Sequence, residues 1–291
     1  MKYKLNVTKV DVFLTILILF LIWFFFHRID NYLDYQWQWG SVFQYFFVVE
    51  EGQIKANVLV VGILNTLKIS IYSIILSTIF GFIMGIFKSS KNLFFRLISI
   101  LYVESIRNIP SIVVIFVVYY FLGDQIINAL GLDDFFINLD DRYNFLLHFF
   151  FVPKDKISVF LVGIIALSLY EGAYITEMVR GAIKSVDKGQ IDASKSLGLN
   201  KLQRLRYIEF PQVLPLLIPP LTGQMVSTIK DSAILSVISI PELTFQGMEL
   251  MASTYLVFEI WIVITLIYLV INAILSHITR YLEVKFKTHR V

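Results

Sequence analysis

Uncharged apolar runs of about 15–20 residues recur from Val12 to Ile278, each approaching the roughly 30 Å of a bilayer's hydrocarbon core. A soluble helix of the same length carries polar residues at regular intervals, so that one face meets water. Here only 16% of the 291 residues are charged, 57% are hydrophobic and the mean hydropathy is +0.73, where a soluble domain carries roughly a quarter charged residues. Inside a bilayer each backbone N–H and C=O needs a partner within the protein, which restricts spanning segments to helices and closed barrels. Runs of this length predict an all-α polytopic membrane protein with about six transmembrane helices.

The first run, Val12 to Phe26, follows Lys2, Lys4 and Lys9 and precedes His27-Arg28-Ile29-Asp30, the charge profile of a secretory signal. No small-x-small cleavage site follows, and the segment is read as an uncleaved span. Its roughly 15 apolar residues fall short of the usual 17–25, which leaves an interfacial anchor as the alternative. Tyr35, Trp37 and Trp39 beside it suit a membrane interface. Further spans are predicted from Val58 to Phe87, from Leu97 to Leu122, from Ile157 to Met178, from Val213 to Val237 and from Tyr255 to Ile278. In the third, Glu104, Arg107 and Pro110 interrupt the first half, so the spanning portion is Ile109 to Leu122 with an amphipathic lead-in.

Six spans put both termini on one side, and the distribution of Lys and Arg says which. Residues on the side of the termini carry about 17 of them, among them Lys88, Lys91, Arg96 and seven from Arg180 to Arg206, against about five in the opposite loops. Both termini are therefore expected in the cytoplasm. The acidic, base-poor loop 124–156 is expected outside. Residues 1–56 form an N-terminal helix with an external or interfacial segment, and residues 57–291 a transmembrane domain with a cytoplasmic loop at about 182–211. The net charge of +3 has no basic tail or basic-aromatic stripe, so no nucleic acid is expected as a partner. The chain contains no cysteine and only four scattered histidines, and no metal site is expected.

Within the cytoplasmic loop, Gly189 to Leu199 reads as a short surface helix. Asp192 near its start suits the macrodipole, Ala193, Ser194 and Gly198 allow close approach, and Leu197 with Leu199 offers an apolar contact. Such a helix suits docking in a groove; a solvated connector is the other reading of the same spacing. The pattern Asp192-Ala193-Ser194, Gly198, then Ile208-x-Phe210-Pro211 resembles the EAA loop of membrane subunits of bacterial ABC importers, in which a coupling helix sits in a cleft of the ATPase. Asp192 stands where glutamate is usual and Ser194 where the second alanine is.

The likeness extends over much of residues 62–245 and points to the polar amino-acid permeases of the histidine, glutamine and arginine type. It is carried by Gly62-Ile-Leu-Asn-Thr66-Leu67, by Tyr102-Val-Glu104-Ser-Ile-Arg107-Asn-Ile-Pro110, by Ala173-Tyr174-Ile-Thr-Glu177-Met-Val-Arg180-Gly181 and by Lys230-Asp231-Ser-Ala-Ile-Leu235. The resemblance implies a type I ABC importer permease core in the bacterial cytoplasmic membrane, moving polar or charged amino acids inward by alternating access. It also implies an ABC ATPase dimer that holds ATP and Mg, an identical or paralogous second permease subunit, and an extracytoplasmic solute-binding protein. The chain has no Gly-x4-Gly-Lys-Ser/Thr loop, so ATP hydrolysis is expected on the partner and no catalytic residue or bound cofactor on this chain.

Charged residues within apolar segments are costly and normally face the bundle interior with a partner. Glu104 and Arg107, like Glu177 and Arg180, are three apart and share a helix face. They are expected as ion pairs at the cytoplasmic ends of the third and fourth spans, fixing packing and the gate, with a direct part in substrate passage as the alternative. Lys230 and Asp231 are placed about two-thirds along the fifth span, after Pro215, Pro219 and Pro220 have freed backbone carbonyls, which makes that span a candidate lining of the pathway. Glu171 has no base at helical spacing and is a candidate receiver for an ammonium or cationic side chain; pairing with Lys230 or a partner subunit is the alternative. Gly81-x-x-x-Gly85 is expected to allow close helix packing. Another solute, or ion-coupled secondary transport with Glu171, Glu177 and Asp231 as a proton relay, are the rival functions.

Overall fold

The computed structural model describes residues 8–32, 35–50 and 52–287. Lys2, Lys4 and Arg290, used in the charge count, lie outside them. Two compact units divide after Phe43.

The first unit is built on helix α1, Lys9–Tyr32. A capping box opens it: the Asp11 carboxylate accepts from Thr8 N and Oγ1 at 2.8 and 2.7 Å while Thr8 Oγ1 accepts from Asp11 N at 3.3 Å. Residues Lys9–Arg28 are long and apolar enough to cross a membrane, and none of that segment is buried. Helical extension at both ends of the apolar run removes the shortfall in length. Trp37 and Trp39 stack at 5.6 Å, with Tyr35 edge-on to Trp37.

The second unit begins with a feature the sequence reading lacks, an antiparallel hairpin of β1 (Phe47–Glu50) and β2 (Gln53–Ala56), with Phe47 opposite Ala56. Gly52 sits in its turn at φ +74°, a conformation glycine adopts without a Cβ penalty. Asn57 then caps α2, Val58–Lys88, by accepting from Val58 N at 2.8 Å. One face of α2 carries Ser70, Ser73, Ser77, Gly81 and Gly85, all buried at three- and four-residue spacing. That stripe receives α5, Ile157–Lys184, along its length. Ser168 Oγ donates to Ser73 O at 3.5 Å, a Cβ on Gly172 would lie 3.6 Å from Ser77 O, and Cβ atoms on Gly81 and Gly85 would lie 2.7 Å from Ile175 and 2.5 Å from Val179. Both series rise together, so the two helices are parallel and Lys88 and Lys184 end on the same side, as the charge count requires. The expected role of the two glycines holds.

Between them the chain forms α3 (Leu93–Arg107), breaks at Asn108-Ile109-Pro110, and resumes as α4 (Ser111–Val117), which continues through a π-helical turn, Val118–Gly123, to Leu130. The break falls where Pro110 removes a backbone donor, and it separates the amphipathic lead-in from a 20-residue segment, Ser111–Leu130, able to cross. The loop that follows is short helices fastened to α2: Lys68 Nζ donates to the carbonyls of His148 and Phe151 at 2.8 and 2.6 Å, and Tyr72 Oη to that of Phe150 at 2.8 Å. Lys154 pairs with Asp141 and Arg142 with Asp140, both at 2.8 Å, and these bonds hold the two carboxyls below the usual range.

After α5 come α6 (Lys188–Ser196) and α7 (Phe210–Asp231). Helix α7 occupies the place of the fifth predicted span but is not among the five helices that, among the described residues, are long and apolar enough to cross, because its prolines and Gln212 and Gln224 dilute its apolar content. It ends at Asp231, so Lys230 and Asp231 stand at its C-terminus rather than two-thirds along a span; Ser232–Ile238 follows as a 3-10 segment. A helix absent from the sequence reading, α8 (Leu243–Thr254), precedes α9 (Val257–Lys287). Its N-cap is Glu242, fully buried, which accepts from the N–H groups of Thr244 and Phe245 at 2.9 and 2.7 Å and from Tyr268 Oη of α9 at 2.9 Å. Truncating it orphans two N–H groups and leaves Tyr268 Oη with Thr244 Oγ1, at 3.0 Å, as its partner. Glu242→Ala is therefore expected to lower stability by about 2–4 kcal/mol, read as a fall in Tm of the detergent-solubilised protein. An unchanged Tm would show that the network contributes nothing.

Candidate functional site

Helix α6 stands at the surface, closed at both ends by local chemistry. Asp187 accepts from Gly189 N at 2.5 Å at its start. At its end Gly198 N bonds Lys195 O at 2.9 Å and Leu199 N bonds Ser194 O at 3.1 Å, a Schellman motif that requires the φ of +77° at Gly198. Gly189, Asp192, Ala193, Leu197 and Gly198 are exposed, Leu197 to 79%, while Leu199 is half-buried. Ser194 departs from the expectation of close approach. It is 2% exposed and donates to Ile191 O at 2.6 Å, because α6 needs one side to rest on the bundle. Ile191 on that side packs with Val186, Val213 and Leu217. Asp192 pairs with Lys195 at 2.6 Å, and that bond holds its carboxyl below the usual range. Gln212 Nε2 donates to Gln190 Oε1 at 2.6 Å, which ties α6 to the start of α7.

A second group of residues runs along α5. Glu171 is fully buried; Gln224 of α7 donates to its Oε2, and its Oε1 has no hydrogen-bond partner. The Asp231 carboxyl adjoins it and is half-buried, whereas Lys230 is exposed; among the described residues Lys230 forms no ion pair with Glu171. Sequence spacing had no means of finding Gln224, which lies 53 residues from Glu171. One helical position on, Tyr170 Oη meets Tyr174 Oη at 3.2 Å, and the Arg107 guanidinium lies over the Tyr174 ring at 5.2 Å.

At the end of α5 the predicted Glu177–Arg180 pair is present at 2.7 Å. The predicted Glu104–Arg107 pair is absent. Lys88, the last residue of α2, pairs with Glu177 and, at 3.5 Å, with Glu104, and Asn108 Nδ2 donates to Glu104 at 3.2 Å. A shared face at three-residue spacing is therefore outcompeted by a lysine delivered from the neighbouring helix. Tyr102 of the same motif donates to Leu169 O at 2.5 Å, tying α3 to α5. Lys88, Arg96, Arg107, Arg180 and Lys184 with Glu104 and Glu177 surround a cavity of about 330 Å³.

Comparison with known proteins gives one consistent set. Residues 77–288 match the family described as binding-protein-dependent transport system inner membrane component. The probable glutamine ABC transporter permease protein GlnP of Bacillus subtilis (strain 168) is 33% identical over 228 residues, 77% of this chain and 91% of that one. The glutamate/aspartate import permease protein GltJ of Escherichia coli (strain K12) is 30% identical over 226 residues, 78% and 86%. A crystal structure of an amino acid ABC transporter with histidines superimposes with a TM-score of 0.65 at 26% identity, covering 86% of this chain and all of that one. An inward-facing methionine ABC transporter, MetNI, shares the fold at a TM-score of 0.54 and 18% identity.

Proposed function

This chain belongs to the binding-protein-dependent transport system inner membrane component family, and on that footing we propose that it is the permease subunit of an ABC importer for polar amino acids such as glutamine or glutamate. It is a multi-pass protein of the inner membrane, with five helices among the described residues long and apolar enough to cross. In this reading both termini are cytoplasmic, ATP and Mg are held by a separate ATPase dimer, and a second permease subunit completes the pathway. A solute-binding protein delivers substrate to the outer side.

The observation that carries the coupling mechanism is α6. It is a capped helix with an apolar residue exposed at its tip, seated on α5 and α7 and linked to α7 through Gln190 and Gln212. Closure of the ATPase dimer draws α6 with it, and α7 follows, parting from α5 where Gln224 seals Glu171. The opened cleft presents two carboxyl groups, Asp231 in front and Glu171 behind, to the ammonium of the substrate. The two acids, 60 positions apart in sequence, are brought together by α5 and α7, and the unpartnered oxygen of Glu171 supports an occupant with donors to offer.

Reconstitution tests this. The chain, its ATPase and binding protein in liposomes are expected to accumulate labelled glutamine only with ATP and binding protein present; uptake driven by an ion gradient without ATPase would overturn the reading. Glu171→Gln is expected to reduce uptake about tenfold or more, the loss of one charge-assisted hydrogen bond of roughly 1.5–3 kcal/mol, with assembly unchanged. Normal uptake with lowered Tm would make Glu171 a packing residue.

A further inference from the structure

Arg107 is exposed and, among the described residues, forms no ion pair with a carboxylate. Its intended partner by spacing, Glu104, is held by Lys88 and Asn108, and Glu177 is held by Lys88 and Arg180. What fixes Arg107 is the face of Tyr174, 5.2 Å from its guanidinium carbon. An aromatic face orients a guanidinium without neutralising it, so all of its donors and its full charge stay available.

The other neighbours say what it is available for. Tyr174 Oη touches Tyr170 Oη at 3.2 Å, and Tyr170 in turn lies within electrostatic reach of Asp231 and Glu171. Tyr170, Tyr174, Asp231 and Arg107 are all at least partly open, on one continuous strip. Its one end is acidic. Its other end is a guanidinium on the wall of the 330 Å³ cavity, where bases outnumber acids. From residue 171 to residue 174 the helix rises about 4.5 Å, so the acidic group and the tyrosine that seats Arg107 lie within one helical turn.

We propose that Arg107 receives the carboxylate of the transported amino acid while Asp231, backed by Glu171, receives its ammonium. The zwitterion then lies along α5 with its carboxylate leading toward the end of the helix that bears Arg180 and Lys184. This rests on the importer reading above and names the group of the substrate that the permease itself reads. The planar fork of arginine takes a carboxylate by two parallel hydrogen bonds, which a lysine does not reproduce. The switch of Glu104 to Lys88 is what leaves that fork free.

Equilibrium binding to the assembled permease–ATPase complex in nanodiscs, without binding protein, tests the assignment with two probes, glutamine and its decarboxylated analogue 4-aminobutanamide. The unmodified complex is expected to bind glutamine about tenfold or more tighter than the amine, the value of a charge-assisted pair. In Arg107→Gln that preference disappears: glutamine weakens to the level of the amine, whose own affinity is unchanged. Arg107→Lys retains part of it. Glu171→Gln weakens both probes alike, since both carry the ammonium. Equal weakening of both probes by Arg107→Gln, or no weakening, would overturn the proposal and reduce Arg107 to a support for Tyr174. If neither probe binds while ATP-driven uptake proceeds, the assignment falls and the importer reading stands; if uptake itself is absent, the importer reading falls with it.

Discussion

Placing one methyl group at Gly85 is expected to part the two central helices of the bundle. A Cβ there would lie 2.5 Å from Val179 and 3.1 Å from the Thr176 carbonyl, and neither neighbour can give way easily, since one contact is at the branch of a buried side chain and the other is backbone. Overpacking of this kind costs about 1–3 kcal/mol, and because α2 and α5 touch along their length the displacement is shared by the Lys88–Glu177 bridge at their ends. Gly85→Ala is expected to reduce the amount of folded protein recovered in detergent and to lower its Tm, and Gly85→Leu to prevent recovery. The exchange Gly85→Ala with Val179→Gly returns the space but gives up a buried valine and puts a glycine inside a helix. The double variant should therefore lose less than the sum of the two single losses, a coupling that a double-mutant cycle measures. Additive losses would mean that the two helices do not meet there.

Leu197→Asp is expected to abolish ATP-driven uptake while leaving the fold intact. Leu197 is 79% exposed, so the bundle loses no packing when it changes. The cost falls on whatever covers it. In the importer reading that is a cleft of the ATPase, and an aspartate buried in a protein interface loses the apolar contact and adds an unpaired charge, together 2 kcal/mol or more by the usual size of an interface hot spot, about thirtyfold in affinity. Co-purification of the ATPase and coupled uptake should fall together, with Tm of the permease unchanged. Gly198→Asp acts on the same helix through the backbone, since its φ of +77° disfavours any residue with a Cβ, by about 1 kcal/mol. Undiminished uptake in Leu197→Asp would remove α6 from the coupling mechanism.

The features legible from sequence are those decided within one segment. The break at Pro110, the short helix α6 with Gly198 beyond its end, the Glu177–Arg180 pair and the glycine spacing on α2 each follow from local rules, and each is found in the structure. The Glu104–Arg107 pair fails because spacing reports a shared face and says nothing of a competitor, and Lys88 arrives from another helix. Ser194 fails for a related reason: composition marks a small residue as suited to close approach without saying which side of α6 rests on α7. Gln224 beside Glu171 is a tertiary meeting across 53 residues, invisible to any window. Helix α8 went unseen because its residues lack both a spanning length and a clear period, and because its cap is Glu242, a residue type outside the Ser, Thr, Asp and Asn that mark a helix start in sequence.

The fastening of Lys68 bears on the order in which the protein is made. Its ammonium sits about 15 Å into α2, and its two carbonyl acceptors belong to residues synthesised 80 and 83 positions later. When α2 leaves the ribosome those acceptors do not exist, and the ammonium of Lys68 has to be solvated without them. During that interval the helix depends on the insertion machinery, or on water at the membrane surface, to hold the charge. Only when the loop that carries His148 and Phe151 has emerged is the residue relieved. The second apolar helix is therefore made before the groups that hold its lysine, and the arrival of residues 148–151 completes a contact that began about a third of the transmembrane domain earlier.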